Sequence, residues 1–283
     1  MTNANIEKRT YDASCLSDYL NCPKYFYYRW LRKLVPVVEP APLLFGRVFH
    51  EALSLHYQHK EMEECVAAFD KLPARMEDDR RSKERGKAIF KEYVERWGKD
   101  EEQYETMYVE IDFALDMPEG RVYVGRLDRV VKDVGGGQIY VKDHKTTSQL
   151  GLNFFRGFRP NVQKDGYCFA CNALCGGCSG MIVNGISIAA NPKERFGRAM
   201  STITPAELER FPVQFTLWAK RLEADILLGE FPMFYTHCHQ FGQCIYLDLC
   251  LYGEDKGTVE REFKIDTEVF APSPVTVVRK EGV

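Results

Sequence analysis

The amino-acid sequence predicts an α/β fold in which a central mixed β-sheet is flanked by helices. Three observations carry this expectation. Residues 107–115 (MYVEIDFAL), 121–134 and 138–146 alternate apolar and polar side chains, as half-buried strands do. The breaks Met117-Pro118-Glu119-Gly120 and Gly135-Gly136-Gly137 are turn chemistry, so the three runs read as an antiparallel meander. Segments of helical period lie on both sides of them, and no linker-like stretch cuts the chain, so a single domain over 1–283 is expected.

Taken in order, residues 14–34 read as a helix, a break at Pro23 and an aromatic-rich amphipathic helix. The prolines of 35–43 (VPVVEPAPL) disfavour helix before them, which makes this stretch an extended connector. A helix is expected from about Phe45 to Gln58. Residues 62–99 carry dense mixed charge around Val66, Phe69, Ile89, Phe90, Tyr93 and Trp97, which suits exposed helices with one apolar face. Beyond the meander, a helix is expected over 161–175, then strands over 180–190 and 195–203. A long helix over 204–231 has Thr204 as its N-cap and Pro205 at its first position, and Pro212 is expected either to kink or to interrupt it. The tail, 251–283, has strand-like pieces.

The composition excludes several classes. With 45% hydrophobic and 28% charged residues, the 283-residue chain is neither disordered nor collagen-like. No apolar run reaches the roughly 18–20 residues of a membrane span. The start, MTNANIEKRT, has no signal-like apolar stretch, so a cytoplasmic protein is expected. A net charge of −3 excludes a strongly basic nucleic-acid tail but leaves room for a local basic groove.

Ten cysteines then call for an account, since disulfides are rare in a reducing compartment. Cys168, Cys171, Cys175 and Cys178 have the look of paired zinc or iron–sulfur ligands. The first three nevertheless fall at i, i+3 and i+7 on one apolar helix face, so they are read as packing residues. An electron carrier built on these four is a rival reading. The late group, Cys238, Cys244 and Cys250, lies in a loop-like stretch and is one thiolate short of a four-ligand site.

Asp128 lies on one expected strand and Asp143-His144-Lys145 end the next. Adjacent antiparallel strands can bring Asp128 and Asp143 together, an arrangement that a divalent cation between them makes tolerable. Asp143 and Lys145 are two apart and share a strand face, which sets an ammonium beside a metal-held water. That chemistry suits phosphodiester hydrolysis.

In this company the chain resembles a known family. Gly125-x-x-Asp128, Asp143-x-Lys145 and Gln163-x-x-x-Tyr167 follow one another as in the RecB-type branch of the PD-(D/E)XK nuclease superfamily. Upstream, Gly46-Arg-Val-Phe-His50 resembles that branch's helical histidine, and Ser14…Cys22-Pro23…Tyr28 its opening helix and first cysteine. The closing cysteines resemble those of the iron–sulfur subset, the AddB nuclease domain and the CRISPR-associated exonucleases.

The resemblance implies a restriction-endonuclease-like fold whose N- and C-terminal segments are joined by a metal cluster. Residues 14–60 would form N-terminal helices, 105–190 the catalytic core, and 204–250 the C-terminal helix and cluster cysteines. It implies that His50, Asp128 and Asp143 bind Mg²⁺ or Mn²⁺, with the backbone carbonyl of His144 as an extra ligand. Lys145 would be the catalytic lysine, and Gln163 and Tyr167 would face the scissile strand. Glu110 reads equally as a second-metal carboxylate or a surface residue. Cys22, Cys238, Cys244 and Cys250 would hold a [4Fe–4S] cluster. His237 or His239 is an alternative to Cys238, and zinc an alternative to the cluster.

The implied activity is a metal-dependent DNA exonuclease, in recombination, repair, or CRISPR or phage DNA processing. It would act on single-stranded or duplex ends beside a helicase, integrase or recombinase. The alternative is a non-catalytic iron–sulfur or zinc DNA-binding scaffold of the same fold. Arg126, Lys142, Arg156 and Arg159 are the expected local positive surface.

Overall fold

The computed structural model describes residues 9–74, 78, 80–98, 100–240 and 242–266. The described residues fall into two compact units. One is drawn from Pro40–Phe113 and Gly125–Leu208, the other from Met1–Glu39, Ala114–Val124 and Glu209–Val283.

In chain order the elements begin with β1 (Arg9–Tyr11), α1 (Ala13–Asn21), α2 (Pro23–Phe26), a π-helical turn (Tyr27–Leu31) and β2 (Leu34–Pro36). They continue with α3 (Ala41–Tyr57), α4 (Met62–Ala67), α5 (Lys83–Trp97), β3 (Tyr104–Met117), β4 (Arg121–Asp133), β5 (Ile139–Thr147), α6 (Leu152–Arg156), α7 (Val162–Cys175), β6 (Gly180–Ser187) and β7 (Phe196–Thr202). Last come α8 (Pro205–Leu228), α9 (Leu247–Tyr252), α10 (Lys256–Glu262) and β8 (Phe263–Ile265). The expected elements are present within a few residues, except that α8 runs unbroken through Pro212. In the tail, α10 takes residues expected to be extended, and 267–283 lie outside the described residues.

The sheet is mixed and flanked by helices, as expected. β3 pairs with β4, and β4 with β5 in antiparallel register, Arg129 opposite Lys142. β5 runs parallel to β6, Asp143 opposite Val183, and β6 antiparallel to β7. The core of the same unit forms where Phe45, Phe49 and Leu53 of α3 meet Phe69, Phe90 and Tyr93. α7 packs on β5 and β6 through its buried face, which includes Phe169, Cys168 and Cys171. At the start of α8, Thr204 Oγ1 accepts from Glu207 N (3.2 Å) while Glu207 Oε2 accepts from Thr204 N (2.8 Å). This reciprocal cap satisfies two helix-end donors.

In the other unit, β1 runs parallel to the start of β4, Tyr11 opposite Tyr123. Tyr123 packs on Phe211 and Phe215 of α8. Arg121, only 5% exposed, donates through Nη2 and Nε to Glu223 (2.8 and 2.9 Å), so this buried charge is paired. β2 pairs antiparallel with β8, and Tyr28, Leu34, Tyr246, Leu249 and Phe263 form a second small core. Among the described residues no helix is long and apolar enough to cross a membrane.

One expectation is corrected here. Lys142 was expected on a positive surface, but it is fully buried, with Nζ 3.8 Å from the Tyr104 ring centroid. Strand alternation explains this: Lys142 points to the face opposite Asp143 and Lys145.

Gly86 tests the packing of the α3–α5 core. A Cβ at this position would stand 2.3 Å from the Phe69 ring, which is itself buried. Gly86→Ala should therefore destabilise the protein by about 1–3 kcal/mol, because overpacking exceeds the roughly 1 kcal/mol gain in helix propensity. Urea titration measures this, and a neutral or stabilising outcome would refute the packing argument.

Candidate active site

Five elements of one unit converge on a carboxylate pair. Extending the β4–β5 register by one residue sets Asp128 opposite Asp143. Asp128 Oδ2 accepts from the backbone N–H of His144 (3.1 Å) and lies 3.2 Å from His50 Nδ1 on α3. Lys145 Nζ stands 2.9 and 2.8 Å from the two oxygens of Asp143, of which Oδ1 accepts its hydrogen bond. Asp143 Oδ2 is buried and has no hydrogen bond of its own.

Burial penalises every charge here, and the partners decide which charges persist. Burial pushes Asp128 upward, but His50, by charge and hydrogen bond, and then Lys145 outweigh it and hold the carboxyl below its usual range. Asp143 goes the other way: burial and the charge of Asp128 exceed the pull of Lys145. His50 and Lys145 are each lowered by burial and raised more by the carboxylates, so both are held above their ordinary values.

α7 supplies Tyr167, which is hydrogen-bonded by Gln163. Burial, then the nearby carboxylates, push the Tyr167 phenol up to about 12, against the pull of Gln163 and Lys145. Tyr167 meets Phe113 edge to face (6.2 Å), and Phe113 lies where a Cβ on Gly125 would stand, 2.7 Å away. The glycine three residues before Asp128 is thus a packing requirement of the wall behind Tyr167.

Glu110, on β3, has φ of 50°, a left-handed conformation that is costly for a non-glycine residue. Burial, followed by the charge of Asp128, raises it to about 7, against His50 and Arg126. It therefore shares the field of the pair, which a plain surface glutamate would not.

The His144 side chain faces away from this group. Its ring stacks on Tyr57 (5.7 Å), and Nδ1 lies 3.4 Å from Tyr93 Oη and 3.3 Å from Asn184 Nδ2. Burial holds its pKa well below the usual range, so the ring is neutral. Only its backbone is placed toward Asp128. Arg126 forks onto Asp112 (2.6 and 2.9 Å), while Arg156 and Arg159 are exposed.

Cys22, Cys238, Cys244 and Cys250 are brought together in the other unit. Cys22 Sγ accepts from Phe234 N (3.4 Å), and Cys244 N donates to the carbonyl of Cys238 (2.8 Å). Burial, then Cys244 and Cys22, push the Cys250 thiol up to about 11; burial, then Cys22 and Cys238, raise Cys244. The His237 ring is packed against Tyr25 (5.3 Å). Among the described residues, no three His, Cys, Asp or Glu side chains are arranged to hold a metal ion as they stand. In the carboxylate group the donors engage one another instead, His50 with Asp128 and Lys145 with Asp143.

Buried carboxylates and a lysine on adjacent strands of a mixed sheet, beside a histidine-bearing helix, form a set of groups suited to metal-assisted phosphodiester chemistry. Residues 12–251 match the PD-(D/E)XK nuclease superfamily, and the chain belongs to it. A search of curated sequences returns no match. Among solved structures, a candidate exonuclease from Eubacterium rectale superposes with a TM-score of 0.56 at 12% identity, covering 90% of this chain and 94% of its own. SSO0001 matches at 16% identity and a TM-score of 0.38, covering 89% and 91%.

Glu110 gives a pH test of this geometry. Its carboxyl is held at about 7 against an ordinary 4.5, so the folded protein keeps a proton that the unfolded chain has lost. The stabilising effect of that proton is complete below about 4.5 and lost as pH rises through about 7, at most about 3 kcal/mol for such a shift. In chelator-treated protein, the stability of wild type minus that of Glu110→Gln should fall across this window. A flat difference in thermal melts would show that Glu110 is solvated.

Proposed function

We propose that the chain is a metal-dependent DNA exonuclease that also carries a structural [4Fe–4S] cluster. The convergence of His50, Asp128, Asp143 and Lys145 carries the first part of this reading. Two carboxylates, a backbone carbonyl and an imidazole suit a hard divalent cation, and Asp143 Oδ2, buried with only the Lys145 ammonium beside it and no hydrogen bond, fits a ligand role. His50, Asp128, Asp143 and the carbonyl of His144 would hold Mg²⁺ or Mn²⁺, with Glu110 beside them. When bound, the cation polarises the phosphate and lowers the pKa of its water. Membership of a nuclease superfamily supports the substrate class, and the match over 12–251 supports a single nuclease domain.

The chain's own groups then have distinct tasks. Lys145, held charged by Asp143 and Asp128, stabilises negative charge growing on the phosphate. Tyr167 stays protonated at neutral pH and donates to a phosphate oxygen, with Gln163 fixing its orientation. The backbone N–H of His144 orients Asp128. Exposed Arg156 and Arg159 meet the DNA backbone, so binding weakens as salt rises.

Lys145→Ala and Asp128→Ala should each lower Mn²⁺-dependent degradation of end-labelled DNA at least about 100-fold with the fold retained. Activity within about tenfold of wild type in Lys145→Ala would overturn the assignment.

Four thiols from distant parts of the sequence suit a [4Fe–4S] cluster that ties Cys22 to the run 238–250. Anaerobically prepared protein should be brown. Cys22→Ser or Cys250→Ser should bleach it and lower its melting temperature, while Cys65→Ser keeps the colour. A colourless protein with bound zinc would retain the ligands and refute the cluster.

A further inference from the structure

Outside the nuclease site, α7 and the turn after it gather a second set of thiols. Cys168 and Cys171 are fully buried, one helical turn apart, and Cys175 ends the helix. Gly176 then takes the left-handed conformation (φ 74°), which turns the chain back and returns Cys178 to the helix. The Cys178 sulfur is in hydrogen-bond contact with the thiols of both Cys168 and Cys171, and Cys171 also contacts Cys175. Cys178 and Cys175 are half-buried and so within reach of solvent. None of the ten cysteines is disulfide-bonded.

A second feature points to the same place. Lys164 Nζ is fully buried and makes no hydrogen bond, although Asp165 Oδ1 lies 3.0 Å and Glu207 Oε1 3.5 Å away. Its charge acts on both Cys168 and Cys178. A desolvated ammonium is expensive unless negative charge faces it; Asp165 and Glu207 face Lys164, and a thiolate at Cys178 adds to them. The other titratable neighbours are Asp165, which acts on Cys168, and Tyr140 on β5, which feels Cys178.

We propose that Cys178 and Cys171 form a thiol–disulfide exchange site that accepts a small disulfide such as glutathione disulfide. Cys178 is the attacking sulfur. Its contacts with Cys168 and Cys171 together outweigh burial and draw its pKa down to about 4, and its sulfur lies 3.6 Å from the Gly180 carbonyl. Cys171 is the resolving thiol. Its contacts with Cys175 and then Cys178 hold its proton tightly, its sulfur also lies 3.9 Å from the Gly177 carbonyl, and capping Cys178 removes one of these contacts. Burial leaves Cys168 less accessible to an incoming reagent than half-buried Cys178. The sulfur contacts run as a chain, Cys168 to Cys178 to Cys171 to Cys175.

The exchange balances in two steps. The Cys178 sulfur bonds to one sulfur of glutathione disulfide, whose own S–S bond breaks, and one glutathione leaves as a thiolate and takes up a proton. The Cys171 thiol gives its proton to water, bonds to the Cys178 sulfur and displaces the second glutathione, which is protonated in turn. Two protein thiols become one disulfide, and one glutathione disulfide becomes two glutathione thiols. The new bond would tie α7, the helix that bears Gln163 and Tyr167, to the segment leading into β6.

The test uses the full-length protein, reduced, desalted and treated with glutathione disulfide at neutral pH. Peptide mapping without reductant should find a Cys171–Cys178 disulfide, with two glutathione thiols released per chain. Cys171→Ser should stop at a glutathione adduct on Cys178. Cys178→Ser should react at least about tenfold more slowly, as expected when the low-pKa thiol is removed. Circular dichroism checks that the variants fold, and mapping of wild type stands whether or not they do. The proposal is overturned if the first adduct forms elsewhere, if the disulfide joins other cysteines, or if the purified protein carries a zinc ion on these thiols that blocks the reaction.

Discussion

Asp128 and Asp143 sit opposite each other on adjacent strands, both largely removed from water, and the surrounding structure answers the cost of that placement. Two facing carboxylates in a poorly solvated site cannot both stay charged without compensation. His50 from α3 and Lys145 from β5 supply it, one cation against each acid. The backbone N–H of His144 adds a hydrogen bond to Asp128. The helix that carries His50 is in turn anchored by Phe45, Phe49 and Leu53 in the aromatic core, so the electrostatic balance rests on apolar packing one turn away.

Strand alternation divides the work along β5. Asp143 and Lys145 face the site, whereas Lys142 and His144 face the interior on the other side, where Tyr104, Tyr57, Tyr93 and Asn184 receive them. A run of four polar residues on a buried strand is tolerable only because each finds a partner. The same four residues thus serve two purposes: one pair gathers charge, and the other packs inward on aromatic and amide neighbours.

The two thiol sets differ in how they are assembled. Cys22 meets Cys238, Cys244 and Cys250 across more than two hundred residues of chain, so its gathering depends on the fold of that unit. Cys168 to Cys178 are gathered by one helix and one left-handed glycine. Periodicity alone identified the face of α7 that buries Cys168 and Cys171. It could not show that Cys178 returns to that face, because a turn's direction depends on a single backbone dihedral.

By itself the sequence determined the order of the main helices and strands, the strand faces and the order of the motif residues, because periods of two and 3.6 and short-range turn chemistry are local properties. Gly125-x-x-Asp128, Asp143-x-Lys145 and Gln163-x-x-x-Tyr167 could all be read in that way. Tertiary structure decided what each residue meets. It buried Lys142, turned the His144 ring inward, set Phe113 against Gly125 behind Tyr167, and gave Glu110 a strained backbone within the field of Asp128. Those outcomes depend on desolvation and on partners from distant segments, and a local pattern carries no information about either.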